Sequence, residues 1–244
     1  MYPDIIIGNI AIPSWYAFLF LGVIISIGLA IYSRPKDLPF NRREISVLAV
    51  LLVVFGLVGA RILFILLHKN ILEEGMGGIF SFQGGFAYFG ALIFSILTMW
   101  VYSFLKKKSF LSLADYSISF LMLSQVFVRI GCLFAGCCYG RPVDNPVFGI
   151  VFKSVDEELR YPTQAYEAIL LLAIYLVSRY LYRTKKNTPG YTFSAALVFY
   201  GAGRFFIEFL RTDSPTVFLN MTLAQVTCLA LALVASFTVF SLKR

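Results

Sequence analysis

Apolar residues in this chain come in seven long runs, separated by short polar breaks. The runs lie at about 13–33, 45–68, 84–104, 109–131, 163–182, 190–210 and 217–241. Each is close to the roughly 20 residues that one helix needs to cross a bilayer. In lipid the backbone N–H and C=O groups must be satisfied within the segment, so runs of this length predict helices. The pattern therefore predicts an all-α, polytopic membrane protein: one membrane-embedded domain over residues 1–244, a bundle of about seven transmembrane helices. A short extracytoplasmic loop region is expected at about 132–162, and residues 1–12 are expected to lie along the membrane surface. There is no internal repeat, so the inverted-repeat architecture of many transporters finds no support.

Composition agrees with a bilayer as solvent. The chain is 59% hydrophobic and 14% charged, with mean hydropathy +0.80, whereas soluble domains are roughly 45–50% apolar and about 25% charged. The formal charge of +8 does not indicate nucleic acid, because cytoplasmic loops of membrane proteins collect Lys and Arg. The breaks after the first, third and fifth runs and the C-terminus hold four, three, three and two basic residues: Arg34, Lys36, Arg42 and Arg43; Lys106 to Lys108; Arg183, Lys185 and Lys186; Lys243 and Arg244. That bias predicts an N-terminus outside and a C-terminus in the cytoplasm. The first twelve residues contain Asp4 but no Lys or Arg, so no cleavable signal peptide is expected.

Several charges interrupt the apolar runs, and an ionisable group in lipid marks a site or a buried partner. Arg61 lies seven residues before the outer end of its run, roughly 10 Å deep at 1.5 Å per residue. Arg129 ends the fourth run, Glu167 begins the fifth, and Arg204 and Glu208 lie in the outer part of the sixth, with Arg211 just beyond. In the expected topology they form one layer, and the 204, 208, 211 spacing shares a helix face. Asp115 falls nearer the cytoplasmic side and is expected to cap or pack. Two readings stand side by side. One is an ion-pair network of Arg204 with Glu208 and Arg61 with Glu167. The other is a cationic pocket for an anionic lipid head group, since guanidinium forks bind phosphate bidentately and stay charged.

The chemistry around this layer is sparse. Nucleophile elbows, HExxH motifs and Walker loops are absent, and no cofactor or metal is predicted. His68, the single histidine, stands at a loop boundary. Tyr16, beside Trp15, is either a belt residue or a hydroxyl facing the pocket. Cys132, Cys137 and Cys138 are open to several roles: soft-metal ligands, an acyl carrier, a disulfide or packing. Cys228 reads as packing.

Arg129-Ile130-Gly131-Cys132-Leu133-Phe134-Ala135-Gly136-Cys137-Cys138-Tyr139-Gly140-Arg141 resembles the signature of the prolipoprotein diacylglyceryl transferase family. Trp15-Tyr16, Gly59-Ala60-Arg61, Gln83-Gly84-Gly85 with Gly90, and Tyr161-Pro162-Thr163-Gln164 with Glu167 are similar to its other motifs. Tyr200-Gly201-Ala202-Gly203-Arg204 with Glu208 and Arg211 resembles its sixth-span motif. The resemblance implies transfer of a diacylglyceryl group from phosphatidylglycerol to the thiol of a lipoprotein-precursor lipobox cysteine, at the outer leaflet of a bacterial plasma (inner) membrane. It implies essential roles at the lipid phosphate for Arg129 and Arg204. Tyr16, Glu208 and Cys137 are further catalytic candidates, Cys137 because a thiol near an arginine stands where the family has a carboxylate. Lipid contacts are implied for Arg129, Arg204, Arg61, Arg141, Gly84, Gly85, Gln164 and Tyr200. The expected partners are phosphatidylglycerol, the precursor peptide and membrane lipid, with no nucleic acid. Phe89 and Tyr161 stand where the family usually has histidine, Cys132 where it has asparagine, and Cys137 where it has glutamate. Those departures leave room for the same lipid donor with another acceptor, or for a non-catalytic lipid-binding or transport protein.

Overall fold

The computed structural model describes residues 4–7, 10–68, 85, 87–153, 155–185, 188–211 and 216–241. Seven helices account for most of them: α1 (Ser14–Tyr32), α2 (Arg42–Leu67), α3 (Tyr88–Leu105), α4 (Phe110–Ala135), α5 (Thr163–Thr184), α6 (Tyr191–Glu208) and α7 (Leu223–Ser241). Among the described residues six are long and apolar enough to cross a membrane; α6 is the exception. Thr192, Ser194, Arg204 and Glu208 lower its hydropathy, and three of these are buried inside the protein.

Three antiparallel hairpins were not foreseen. Strand β1 (Asp4–Ile7) pairs with β2 (Ile10–Pro13), so part of the N-terminal stretch expected along the membrane surface is folded on itself. Its isoleucines are stiff at χ1 and favour extended backbone. Strands β3 (Ile150–Val151) and β4 (Leu159–Arg160) close the long loop. Strands β5 (Thr216–Phe218) and β6 (Met221–Thr222) occupy what was expected to be the start of the seventh helix. Leu219 and Asn220 turn that last hairpin with φ of 47° and 57°, which no helix permits.

The chain forms two compact units, residues 31–113 and residues 1–30 with 114–244. In the first, Asn41 and Glu44 form a reciprocal capping box at the start of α2. Glu44 also takes Lys108 Nζ at 2.6 Å, tying the two basic loops together. Helices α2 and α3 meet backbone to backbone. A Cβ on Gly90 would stand 2.2 Å from the Gly59 carbonyl oxygen, so only glycine fits there.

In the second unit an apolar seam runs through α4, α5 and α6. Ile118, Met122 and Val126 follow one face of α4 at i, i+4 spacing and pack with Leu171, Ile174 and Ala196. Of the six apolar spans α4 is the most enclosed, with 44% of its apolar window buried. Asp115, 5% exposed, holds the junction of α4 with the start of α6 by accepting from the backbone N–H groups of Gly190 at 2.6 Å and Phe193 at 2.7 Å. These are orphan donors at the start of α6, so the capping expectation for Asp115 is met by a residue 75 positions away. Asp115→Ala should cost about 1–3 kcal/mol by leaving those donors unsatisfied, and Asp115→Asn less. Thermal unfolding in detergent would measure both; equal melting temperatures for all three proteins would remove the cap from the account.

Candidate functional site

The seam continues into the charged layer. On α5, Glu167 is one turn before Leu171; on α6, Arg204 is one turn after Tyr200; on α4, Arg129 is one position before Ile130. Faces that bury leucine and isoleucine in the seam therefore carry charge at its end. Arg129 Nη2 lies 2.8 Å from Glu167 Oε1, and Arg204 Nε lies 3.7 Å from the same oxygen. Arg204 Nη1 lies 2.5 Å from Glu208 Oε2. Glu208 also accepts from Thr222 Oγ1 at 3.1 Å. Both carboxylates are almost completely enclosed, at 2% exposure.

The sequence paired Glu167 with Arg61. In the structure Arg129 and Arg204 share Glu167, while Arg204–Glu208 stands as expected. The contacts are close in distance but poorly aligned for hydrogen bonding: Arg129 Nε, Arg204 Nη1, Glu167 Oε1 and Glu208 Oε2 are buried without a hydrogen-bond partner. Two guanidinium groups are thus held side by side on one carboxylate with donor capacity left over.

The signature segment differs from its expected shape. The fourth helix runs on through Gly131 and Cys132 and stops at Ala135 instead of at residue 131. Gly136, with φ of 70°, ends it. Gly136 N–H donates to the Leu133 carbonyl at 3.3 Å and Cys137 N–H to the Cys132 carbonyl at 3.1 Å, the two bonds of a Schellman motif. The chain folds back over the helix end and brings Cys137 and Cys138 to Cys132. The three Sγ atoms all lie within 4.8 Å of one another. All three are free thiols. Cys138, with φ of 62°, is held well below the usual thiol pKa by hydrogen bonds from Cys132 and Cys137, with Arg129 and Arg211 adding to the effect.

The start of α5 secures this turn. Gln164 Nε2 donates to the Cys137 carbonyl at 2.5 Å, and Thr163 Oγ1 donates to the Cys138 carbonyl at 2.8 Å. Gly140 N–H donates to the Tyr161 carbonyl at 2.8 Å, and Arg141 N–H to the Leu210 carbonyl at 2.7 Å. The Arg141 guanidinium lies 6.0 Å from the centre of the Tyr161 ring. Beyond it, Arg160 draws Asp156 into a pair at 2.6 Å, and its hydrogen bonds hold that carboxyl below the usual range. The described residues of the 136–162 loop are thereby a folded element.

The remaining expected residues are placed as follows. Tyr200 packs against the α4–α5–α6 core. Tyr16 stacks on Trp15 with ring centres 3.6 Å apart. In the other unit, Arg61 Nη1 donates to the Gly85 carbonyl at 3.0 Å, and Gly85 has φ of 99°. Gly84 and Gln83 lie outside the described residues. Thr163 and Thr222 entered the site without being singled out for it. Thr163 left a signal, standing beside Gln164 in a quoted motif; Thr222 left none.

Fold and site define a multi-pass helical membrane protein whose intramembrane charges converge on paired arginines. Residues 5–241 match the family model described as prolipoprotein diacylglyceryl transferase. The chain belongs to that family. It is 34% identical to phosphatidylglycerol–prolipoprotein diacylglyceryl transferase 2 of Clostridium perfringens over 205 residues, covering 81% of this chain and 78% of the relative. The phosphatidylglycerol–prolipoprotein diacylglyceryl transferase of Clostridium tetani is 31% identical over 212 residues, covering 84% and 83%. That of Clostridioides difficile is 33% identical over 202 residues, covering 82% and 79%.

Proposed function

We propose that this protein transfers the diacylglyceryl group of phosphatidylglycerol to the cysteine thiol of a lipoprotein precursor, in a bacterial plasma membrane. The observation that carries the reading is the pair Arg129 and Arg204 on the single buried carboxylate of Glu167. A lipid phosphate is a better partner than that carboxylate for two guanidinium forks, because it offers more oxygens to the unspent donors. Membership of the family supplies the donor and acceptor classes.

The chemistry follows from what those groups can do. The acceptor sulfur attacks the glyceryl carbon that carries the phosphate ester, an S–C bond forms, and the C–O bond breaks. Charge builds on the departing glycerol phosphate, where Arg129 and Arg204 stand ready, and preorganised donors at a developing anion give the largest catalytic effects. Glu167 and Glu208 hold the two arginines in register. Gln164 and Thr163 fix the signature turn, and Tyr200 backs the layer from the apolar side. Tyr16 and Arg141 belong to the lipid path in this reading, and Arg61 with Gly84 and Gly85 are the lipid-binding candidates of the other unit.

Purified protein mixed with phosphatidylglycerol and a lipobox peptide should yield a peptide heavier by one diacylglyceryl group, read by mass spectrometry. An unmodified peptide beside tightly bound lipid would favour a lipid-binding or transport protein. The proposed orientation places the N-terminus and the 132–162 region outside and the C-terminus in the cytoplasm, in one membrane-embedded domain. In cysteine-free protein, a cysteine introduced at Asn145 should label from outside and one at Ser109 only after permeabilisation. The reverse pattern would invert the topology.

A further inference from the structure

Cys132, Cys137 and Cys138 are the part of the site that this chemistry leaves unused. Three thiols within 4.8 Å of one another are an odd number, so a disulfide between any two would strand the third. A tetrahedral zinc ion with Zn–S bonds of about 2.3 Å sets its sulfurs roughly 3.8 Å apart. Side-chain rotation of less than about 1 Å would bring the tripod to that size. Among the described residues it is the only group of three His, Cys, Asp or Glu side chains placed to share an ion. Soft thiolate donors select zinc or copper(I) over magnesium or calcium. Three protein ligands leave one tetrahedral position open, as in catalytic zinc sites and unlike structural ones.

We propose that Cys132, Cys137 and Cys138 form a three-thiolate zinc site whose fourth position takes the acceptor cysteine of the precursor. The proposal rests on the transfer reaction proposed above and explains how its nucleophile is made. A thiol is a weak nucleophile until it loses its proton, and the chain's single histidine, His68, stacks on Phe64 at the end of α2. A metal-coordinated thiol is deprotonated outright. The proton passes to water. The zinc-bound thiolate sulfur then attacks the glyceryl carbon, and the C–O bonding pair leaves with glycerol phosphate. The thioether formed is a poorer ligand than a thiolate, so the product is released and zinc keeps its oxidation state. Four thiolates on Zn²⁺ carry net negative charge.

The test uses the full chain in detergent with phosphatidylglycerol. We expect one zinc per chain by elemental analysis, and a thiolate-to-cobalt charge-transfer absorption after exchange with Co²⁺. A lipobox peptide should strengthen that band, and the same peptide with serine for cysteine should not. A chelator should abolish transfer, with zinc but not magnesium restoring it. Cys132→Ser, Cys137→Ser and Cys138→Ser should each lose more zinc affinity than the roughly 10–100-fold cost of an outer-shell change, while Cys228→Ser keeps its metal. Chelated wild-type protein that transfers at the full rate would overturn the proposal even if the serine variants fail to fold. So would absence of stoichiometric zinc, or a cobalt band indifferent to the peptide. Zinc binding and a peptide-dependent band without any diacylglyceryl product would instead refute the transfer reading and leave the metal site standing.

Discussion

Arg204→Ala should slow diacylglyceryl transfer by about 10²–10³-fold, the usual consequence of removing one preorganised donor from a developing anion. Arg204 touches both buried carboxylates and so fixes the geometry as well as the charge. Arg204→Lys should also be poor, because an ammonium on a flexible stem cannot reproduce the fork. The fold should lose less than the chemistry. Arg129 still pairs with Glu167, and Thr222 still donates to Glu208. Combining Arg204→Ala with Glu208→Gln restores the charge balance and should recover stability without recovering rate. Transfer at near wild-type rate by Arg204→Ala or Arg129→Ala would remove the phosphate site from this layer.

Glu167→Gln should act in the opposite sense, chiefly on stability. It leaves two guanidinium groups adjacent in a mostly enclosed layer, with Arg129 21% and Arg204 11% exposed at the side chain. Breaking a buried pair from one side costs about 3–5 kcal/mol. For a chain of this size 1 kcal/mol corresponds to roughly 2–4 °C, so the melting temperature in lipid-free detergent should fall by about 10 °C. Phosphatidylglycerol should recover more of that loss in the variant than it adds to the wild type, because a ligand that binds the folded state stabilises by mass action. A melting temperature that ignores both the substitution and the lipid would mean that the carboxylate contributes nothing to holding the arginines.

The helices could be read from the sequence because lipid removes the alternatives to intrasegment hydrogen bonding. Their ends could not always be read. Gly131 looked like the end of the fourth run, yet the helix passes through it and Gly136 supplies the left-handed turn. That displacement of four residues hid the meeting of the three thiols, which depends on the chain doubling back over Cys132. The charged layer was legible as a set of residues, since Arg129, Glu167, Arg204 and Glu208 each break an apolar run. Who pairs with whom was not, because Glu167 is shared through packing between α4, α5 and α6. Asp115 lies at the opposite case: its capping role was legible, but its partner helix was not.

The cap that Asp115 places on α6 also bears on the order in which the protein is assembled. Helix α6 is the least suited of the seven to enter lipid unaided, since a central charge costs roughly 2.5–3.5 kcal/mol on insertion scales. It carries Arg204 and Glu208 as a self-neutralising i, i+4 pair. Its remaining needs are met by Asp115 on α4 and Glu167 on α5. Synthesis runs from the N-terminus, so both partners have left the ribosome before α6 does. The helix bearing half of the proposed phosphate site is therefore the one whose place in the membrane is prepared for it by its predecessors.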